Sequence, residues 1–266
     1  IENNINQYNV IDKFIFKLYF KYYSYSYSKQ LHYGDFKVDK NTSFLKLIYY
    51  VTKPSNILNK ITIIEGWSKQ DLNNELSKYF ENYRPIPYND ILADTYYFNK
   101  YEKFEIFYNK IKKYKTNYIN EKNKNKFFDR YKENDLFIIG SLIEKEGLDY
   151  YDKKQISSVI MNRLETGMRL QIDATVIYAL TNGDYDLKRK LTFKDLKIKH
   201  PFNTYIISGL PPEPISYVGT KTIDIILENY KSDLLFYFFN RILKKHVFSE
   251  NFTIHKNKLN EYRKAK

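Results

Sequence analysis

Apolar positions recur at helical spacing over much of the second half of the chain. Leu136, Ile139 and Ile143 form one stripe behind Asn134 and Asp135, either of which can cap a helix. Ile156, Val159, Ile160 and Leu164 form a second between about Lys153 and Leu164, with Gly167 where a C-terminal cap belongs. Asp173 can cap a third helix, Thr175 to Leu180, closed by Asn182-Gly183. Shorter apolar runs, Ile61 to Ile64, Leu234 to Phe239 and His246 to Phe248, read as strands. Upstream, Gly34 to Val38 reads as a turn into a short strand and Thr42 to Val51 as a helix. Ser68 starts a helical run through Leu72, Leu76 and Phe80, with Asp71 at capping-box spacing. Phe104, Phe107, Ile111 and Tyr114 give one packed flank to a Lys-rich helix. The first 30 residues alternate polar and aromatic side chains without a clear apolar face, as a tether would.

These elements predict an α+β fold: a small α/β unit followed by a mixed, helix-rich domain with a few short strands. The expected divisions are a tether at 1–30, the small unit and a joining segment at 31–100, a Lys-rich helical connector at 101–134, and the main domain at 135–266.

Composition narrows the function. With 44 Lys+Arg against 31 Asp+Glu the formal charge is +13, which by itself suits an anionic partner. Only 7 of those cations are Arg, and the Lys residues are spread along the chain instead of forming a stripe, which argues against nucleic acid. The absence of cysteine excludes disulfides, thiolate metal sites and thiol nucleophiles. With 4 His and no HExxH spacing, a zinc site is not expected. No apolar run approaches the length of a membrane span. The chain begins with Ile1 in place of Met, which suggests that a leader or anchor precedes it.

Two carboxylates stand together in Glu144-Lys145-Glu146, and helix geometry separates them. At about 100° per residue, Glu146 falls on the stripe of Ile139, Leu142 and Ile143, while Glu144 points elsewhere. A carboxyl carried into an apolar wall loses hydration in its charged form and keeps its proton to higher pH. Such a group can protonate a leaving oxygen, the task of a glycosidase general acid. The ordinary alternative is a helix-end Glu paired with a Lys.

Further motifs lie in order around it: Ser158-Val159, Asn162-Arg163-Leu164, Gly167-Met168-Arg169-Leu170-Gln171, Asp173, Thr175 to Tyr178, Asn203-Thr204-Tyr205, Gly209-Leu210-Pro211-Pro212 and His246 to Ser249. With the Glu-Lys-Glu triplet they resemble, from Leu136 to Leu259, the YceG-like family of endolytic murein transglycosylases. Weaker similarity at Gly34, Glu65-Gly66 and Ile91 to Phe98 resembles that family's LysM-like unit and joining segment. The chain departs from the family pattern at Asp152-Lys153, where a Glu-Arg pair is usual, at Ala174 for Pro, and at Glu213 for Gly.

The resemblance implies cleavage of peptidoglycan glycan strands with Glu146 as the catalytic acid and base. Its candidate substrate-binding residues are Gln171, Asp173, Thr175, Tyr178, Asn203 and Tyr205, and its secondary candidates are Glu144, Asp152, Asn162, His246 and Ser249. Each also has an ordinary structural role open to it. Asp173 is equally a helix cap, Gln171 and Asn203 loop amides, Tyr178 and Tyr205 core aromatics, and His246 a packed histidine. The resemblance further implies a bacterial cytoplasmic-membrane protein, anchored through a preceding N-terminal segment, with the catalytic part outside and cell-wall synthesis proteins nearby. A lysozyme-type hydrolase and an inactive peptidoglycan-binding module are the rival readings.

Overall fold

The computed structural model describes residues 10–27, 32, 34–39, 42–55 and 57–265. The chain is α+β and divides into two compact units. Residues 1–60 and 97–103 form the first; 61–96 and 104–266 form the second.

The first unit holds α1 (Val10–Tyr27) and α2 (Phe44–Val51). Ser43 caps α2, whose Ile48 and Val51 are buried. Where the alternation of polar and aromatic residues suggested a loose arm, residues 10–27 are helical, with Phe14, Leu18, Tyr22 and Tyr25 exposed. Residues 1–9 and 28–30 of that segment lie outside the described residues. Gly34 to Val38 forms only one bridge, Asp35 to Ile57, in place of the expected strand. Gly34 sits at φ +149°, where a side chain would collide with Ser55 and Asn99.

Strand β1 (Asn59–Thr62) pairs with β2 (Thr95–Phe98), and in the second unit the Thr62 and Thr95 hydroxyls lie 3.0 Å apart. Ser68 and Asp71 form the expected capping box at the start of α3 (Lys69–Leu76), which buries Leu72 and Leu76. Phe104, Phe107 and Ile111 of α4 (Phe104–Lys122) are buried, and Phe80 packs against Phe104 and Phe107. Residues 61–96 and 104–134 thus share a core with the C-terminal part. The sequence boundaries near 100 and 134 followed charge density, which marks the solvated flank of α4 and says nothing of its packed one.

The centre of this unit is α5 (Glu133–Glu146), in which every residue from Leu136 to Ile143 is buried. It is flanked by α6 (Tyr150–Glu165), α7 (Asp173–Thr181) and α8 (Thr220–Leu227). Its cap differs in detail from expectation: Asp135 accepts the Lys132 N–H at 2.8 Å from inside the first turn. The buried segment 215–219 lies along α5 and is stitched to it. Ser141 Oγ accepts the Ile215 N–H at 3.0 Å, and the Ser216 hydroxyl donates to the Ser141 carbonyl at 3.2 Å. On its other side, Gly66 N–H donates to Tyr217 O at 2.9 Å and Ala93 N–H to Val218 O at 2.8 Å. Gly140 makes this approach possible, because a Cβ there would stand 2.7 Å from Val218 Cγ1.

The chain ends in an antiparallel hairpin, β3 (Phe236–Asn240) with β4 (Lys245–Ser249), followed by α9 (Phe252–Ala265). The register pairs Tyr237 with Phe248 and Phe239 with His246, so these four side chains share one face. The opposite face carries Phe236 and Phe238, which pack against Phe252, His255 and Tyr262 of α9.

The close approach at Gly140 generates a prediction. Gly140→Ala lowers unfolding free energy by about 1–3 kcal/mol through overpacking against Val218. Adding Val218→Ala recovers part of that loss in urea denaturation; a Gly140→Ala protein as stable as the parent would show the contact to be slack.

Candidate active site

Glu146 is the last residue of α5 and is partly buried. Burial pushes its carboxyl from 4.5 up to about 7, and the nearby Asp173 carboxylate adds to the push. Three groups pull the other way: the charge of His246, the Ala174 backbone N–H and the Tyr237 hydroxyl, the last two by hydrogen bonds. The carboxyl therefore exchanges a proton near neutrality, which suits a group that must act as acid and then as base.

Each of these neighbours comes from a different element. Asp173 and Ala174 are the first two residues of α7, whose cap position is Ile172 and not Asp173. The helix therefore aims a free N–H at the carboxyl. Gln171 just before it is left-handed, with φ 51°. This turn is zipped to a remote segment: Gln171 N–H donates to Thr204 O at 3.1 Å, and Ile172 N–H to Thr204 Oγ1 at 2.9 Å. The same zipper places Tyr205, whose hydroxyl donates to Asp173 Oδ1 at 2.6 Å. Tyr237 arrives on β3, and burial holds its phenol well above the usual range, so it remains a donor.

Arg163 supports the site from α6. This buried guanidinium donates to Leu235 O at 2.7 Å just before β3, and to Leu170 O at 2.7 Å just before α7. It can reach both because α6 ends in a Schellman turn, in which Met168 N–H donates to Arg163 O at 2.8 Å and Gly167 takes φ +69°.

The structure thus brings together Glu146, Asp173, Tyr205 and His246 of the residues singled out in the sequence. Asp152 joins them through His246, whose Nδ1 lies 2.9 Å from Asp152 Oδ2. Gln171 is exposed on the rim. Others are committed to scaffolding. Thr175 is fully buried and bonded to Ile172 O and Thr204. The Asn203 amide donates to Leu196 O and Ile198 O and accepts Tyr205 N–H. The Asn162 amide donates to Ser232 O and Leu234 O, holding the approach to β3. Tyr178 is a core ring between Phe202 and Tyr88. Ser249 is buried with its hydroxyl unpartnered.

Glu144 does point away from Glu146's neighbours, and its surroundings explain it. Its side chain is 1% exposed, paired with Lys153 at 2.5 Å, and accepts the Gly219 N–H at 3.1 Å. It ties α5 to α6 and to the start of α8. Tyr237, Ala174 N–H and Arg163 are site features that sequence reasoning did not select. Tyr237 is one of 28 tyrosines in an aromatic strand, and a backbone N–H carries no residue signature.

Two surface depressions, of about 320 and 400 Å³, lie elsewhere in this unit. The first is lined by residues such as Ile63, Asp94 and Lys221, the second by residues such as Lys69, Asn134 and Pro214; neither includes Glu146. The chemistry of the side chains, and not concavity, locates the candidate site. No cluster of His, Asp or Glu able to hold a metal ion occurs among the described residues.

Comparison with known proteins finds several that this chain resembles. The sequence model of the YceG-like family matches residues 1–261. The endolytic murein transglycosylase of Bacillus subtilis (strain 168) is 38% identical over 119 residues, covering 42% of this chain and 32% of that protein. The endolytic murein transglycosylase of Streptococcus pneumoniae serotype 2 (strain D39 / NCTC 7466) is 34% identical over 106 residues, covering 39% of this chain and 19% of that protein. The chain therefore spans a third or less of the length of these curated relatives in the matched regions. A crystal structure of a yceG-like protein from Listeria monocytogenes superposes with a TM-score of 0.65 at 25% identity, covering 91% of this chain and 89% of that one.

The raised carboxyl has a stability consequence with a definite sign. The folded value lies above the unfolded one, so ionising Glu146 costs the folded state, and its contribution falls away as pH climbs from 4.5 through about 7. Glu146→Gln removes that cost and stabilises the fold by roughly 3 kcal/mol at pH 8, with little effect at pH 4. Thermal unfolding at the two pH values checks it; equal changes at both would show that the carboxyl is not desolvated.

Proposed function

The chain belongs to the YceG-like family, and we propose that it is an endolytic lytic transglycosylase of peptidoglycan, with Glu146 as general acid and then general base. The observation that carries this reading is a single carboxyl, partly buried at a helix end, whose proton affinity is raised to about 7. The names of the relatives, both endolytic murein transglycosylases, support the substrate class.

Protonated Glu146 donates to the oxygen linking N-acetylmuramic acid to N-acetylglucosamine, and that bond breaks. The muramic acetamido group steadies the positive charge at C1. Ionised Glu146 then takes the proton of the same sugar's C6 hydroxyl, whose oxygen closes on C1 to give the 1,6-anhydro ring. One proton leaves Glu146 and one returns, so no water, metal or organic cofactor is consumed. One carboxyl serves both halves of the cycle, which distinguishes this chemistry from hydrolysis by two flanking carboxylates. Asp173 is close enough to raise the proton affinity of Glu146, but it is occupied by the Tyr205 hydroxyl. General acid-base catalysis of this kind supplies about 10² to 10⁴ in rate, and the remainder comes from holding the strand in a reactive pose. Exposed Leu148 and Phe239 beside the site offer apolar surface for sugar faces. On this reading the enzyme acts on the cell wall outside the cytoplasm. Among the described residues no helix is long and apolar enough to cross a membrane.

Digestion of purified peptidoglycan, read by mass spectrometry, tests the reading. Products end in anhydro-muramic acid; reducing ends heavier by one water would mean a hydrolase, and no new ends a binding module. Glu146→Gln abolishes cleavage, and an active variant refutes the assignment. Glu144→Gln leaves a buried Lys153 without its counter-charge and costs stability on the order of 3 kcal/mol. It nevertheless keeps substantial turnover at a temperature where it is folded.

A further inference from the structure

The Asp152–His246 pair has no part in the proton cycle described above, yet it is built with care around the site. The His246 side chain is 6% exposed and that of Asp152 10% exposed. Imidazole Nδ1 lies 2.9 and 3.1 Å from the two carboxylate oxygens, and no hydrogen bond to Nε2 forms among the described residues. Asp152 also accepts the Leu148 N–H at 2.9 Å, two residues beyond Glu146, and its own N–H is capped by Asp149 at 3.0 Å. The strand register puts His246 on the same face as Tyr237. The two rings meet edge to face at 5.4 Å, and the Tyr237 hydroxyl bonds to Glu146. Phe239 and Phe248 flank the imidazole at 5.3 and 6.2 Å.

We propose that Asp152 and His246 are a positioning pair for Glu146: Asp152 holds the Leu148 N–H just beyond Glu146 and the imidazole Nδ1 at once, which fixes the hairpin face carrying Tyr237 against the end of α5. The inference rests on the reading of Glu146 as acid and base. It assigns no covalent step and no proton transfer to His246.

The need for such a pair follows from the surroundings. The titratable and charged groups around Glu146 are Asp173 on α7, Tyr205 on the loop bonded to it, Tyr237 on β3, His246 on β4, and Asp152 and Arg163 on α6. Burial and Asp173 both favour the neutral carboxyl. With those alone, Glu146 would give up its proton reluctantly and the ionised form needed for ring closure would be costly. A Tyr237 hydroxyl held on the hairpin side offsets Asp173 on the helix side by favouring the ionised carboxyl. The Asp152–His246 contact, with the imidazole packed on Tyr237, keeps that strand in place.

The test is a pH titration of the Glu146 carboxyl by ¹³C NMR on the folded chain, with the resonance assigned by its loss in Glu146→Gln. His246→Gln removes the ring that packs on Tyr237. Asp152→Asn keeps the shape and an acceptor for Leu148 but loosens the hold on the imidazole, and serves if the first variant folds poorly. Both move the Glu146 midpoint upward by at least about half a pH unit, whereas Asp173→Asn moves it downward. The alkaline limb of anhydro-end formation on peptidoglycan moves in the same directions. Midpoints unmoved in folded His246→Gln and Asp152→Asn overturn the proposal and leave the pair a structural brace. A parent protein that makes no anhydro ends, but whose midpoint responds as stated, leaves the pair intact and sinks only the reading of the activity.

Discussion

Everything distinctive about this site follows from depriving one carboxyl of water at the end of an apolar helix. Because Leu136 to Ile143 are buried all round, α5 has no solvated face over these residues, and its last residue emerges against packed neighbours and not into solvent. The cost falls on the charged form alone, so the proton is retained to about pH 7. Full burial would have trapped it. The Ala174 N–H, the Tyr237 hydroxyl and the nearby His246 return part of the lost solvation as fixed dipoles and charge, which leaves both protonation states within reach.

Holding those groups around one point requires chain segments far apart in sequence to be locked together. Arg163 does this with carbonyls, bonding the approaches to α7 and to β3 at once. Thr204 does it with a hydroxyl and a carbonyl, fixing the entry to α7 and presenting Tyr205 to Asp173. Glu144 and Lys153 do it with a buried ion pair that joins three helices beneath the site. The Asp152-Lys153 dipeptide is fully employed: Lys153 closes that ion pair and Asp152 holds His246. Both reach their partners because α6 begins at Tyr150 and brings them into range.

Part of this was legible in the chain. The helical stripe separates Glu146 from Glu144, and coordinates place Glu146 among proton-handling groups while Glu144 is tied into the scaffold. The capping box at Ser68, the left-handed close at Asn182 and the glycine after α6 also follow from local chemistry. The motif residues were harder to sort. Thr175 and Asn203 sit in motifs beside the site yet spend their polar atoms on backbone, while Asp173 and Tyr205 in the same motifs bond to each other at its edge. Side-chain type cannot distinguish these cases, since a hydroxyl or amide serves a carbonyl as well as a sugar.

The sequence alone determined the α+β class, the position of the central helix and that its two neighbouring carboxylates point in different directions, because these depend on periodicity within a dozen residues. Only the tertiary structure decided how strongly that carboxyl holds its proton, for the groups responsible lie on α7, β3 and β4, up to 100 residues away along the chain. The same holds for the partition into two units, in which residues 61–96 join the C-terminal core. Hydrophobic patterning is written locally, whereas the electrostatics of a site is summed over whatever folding brings within a few ångströms.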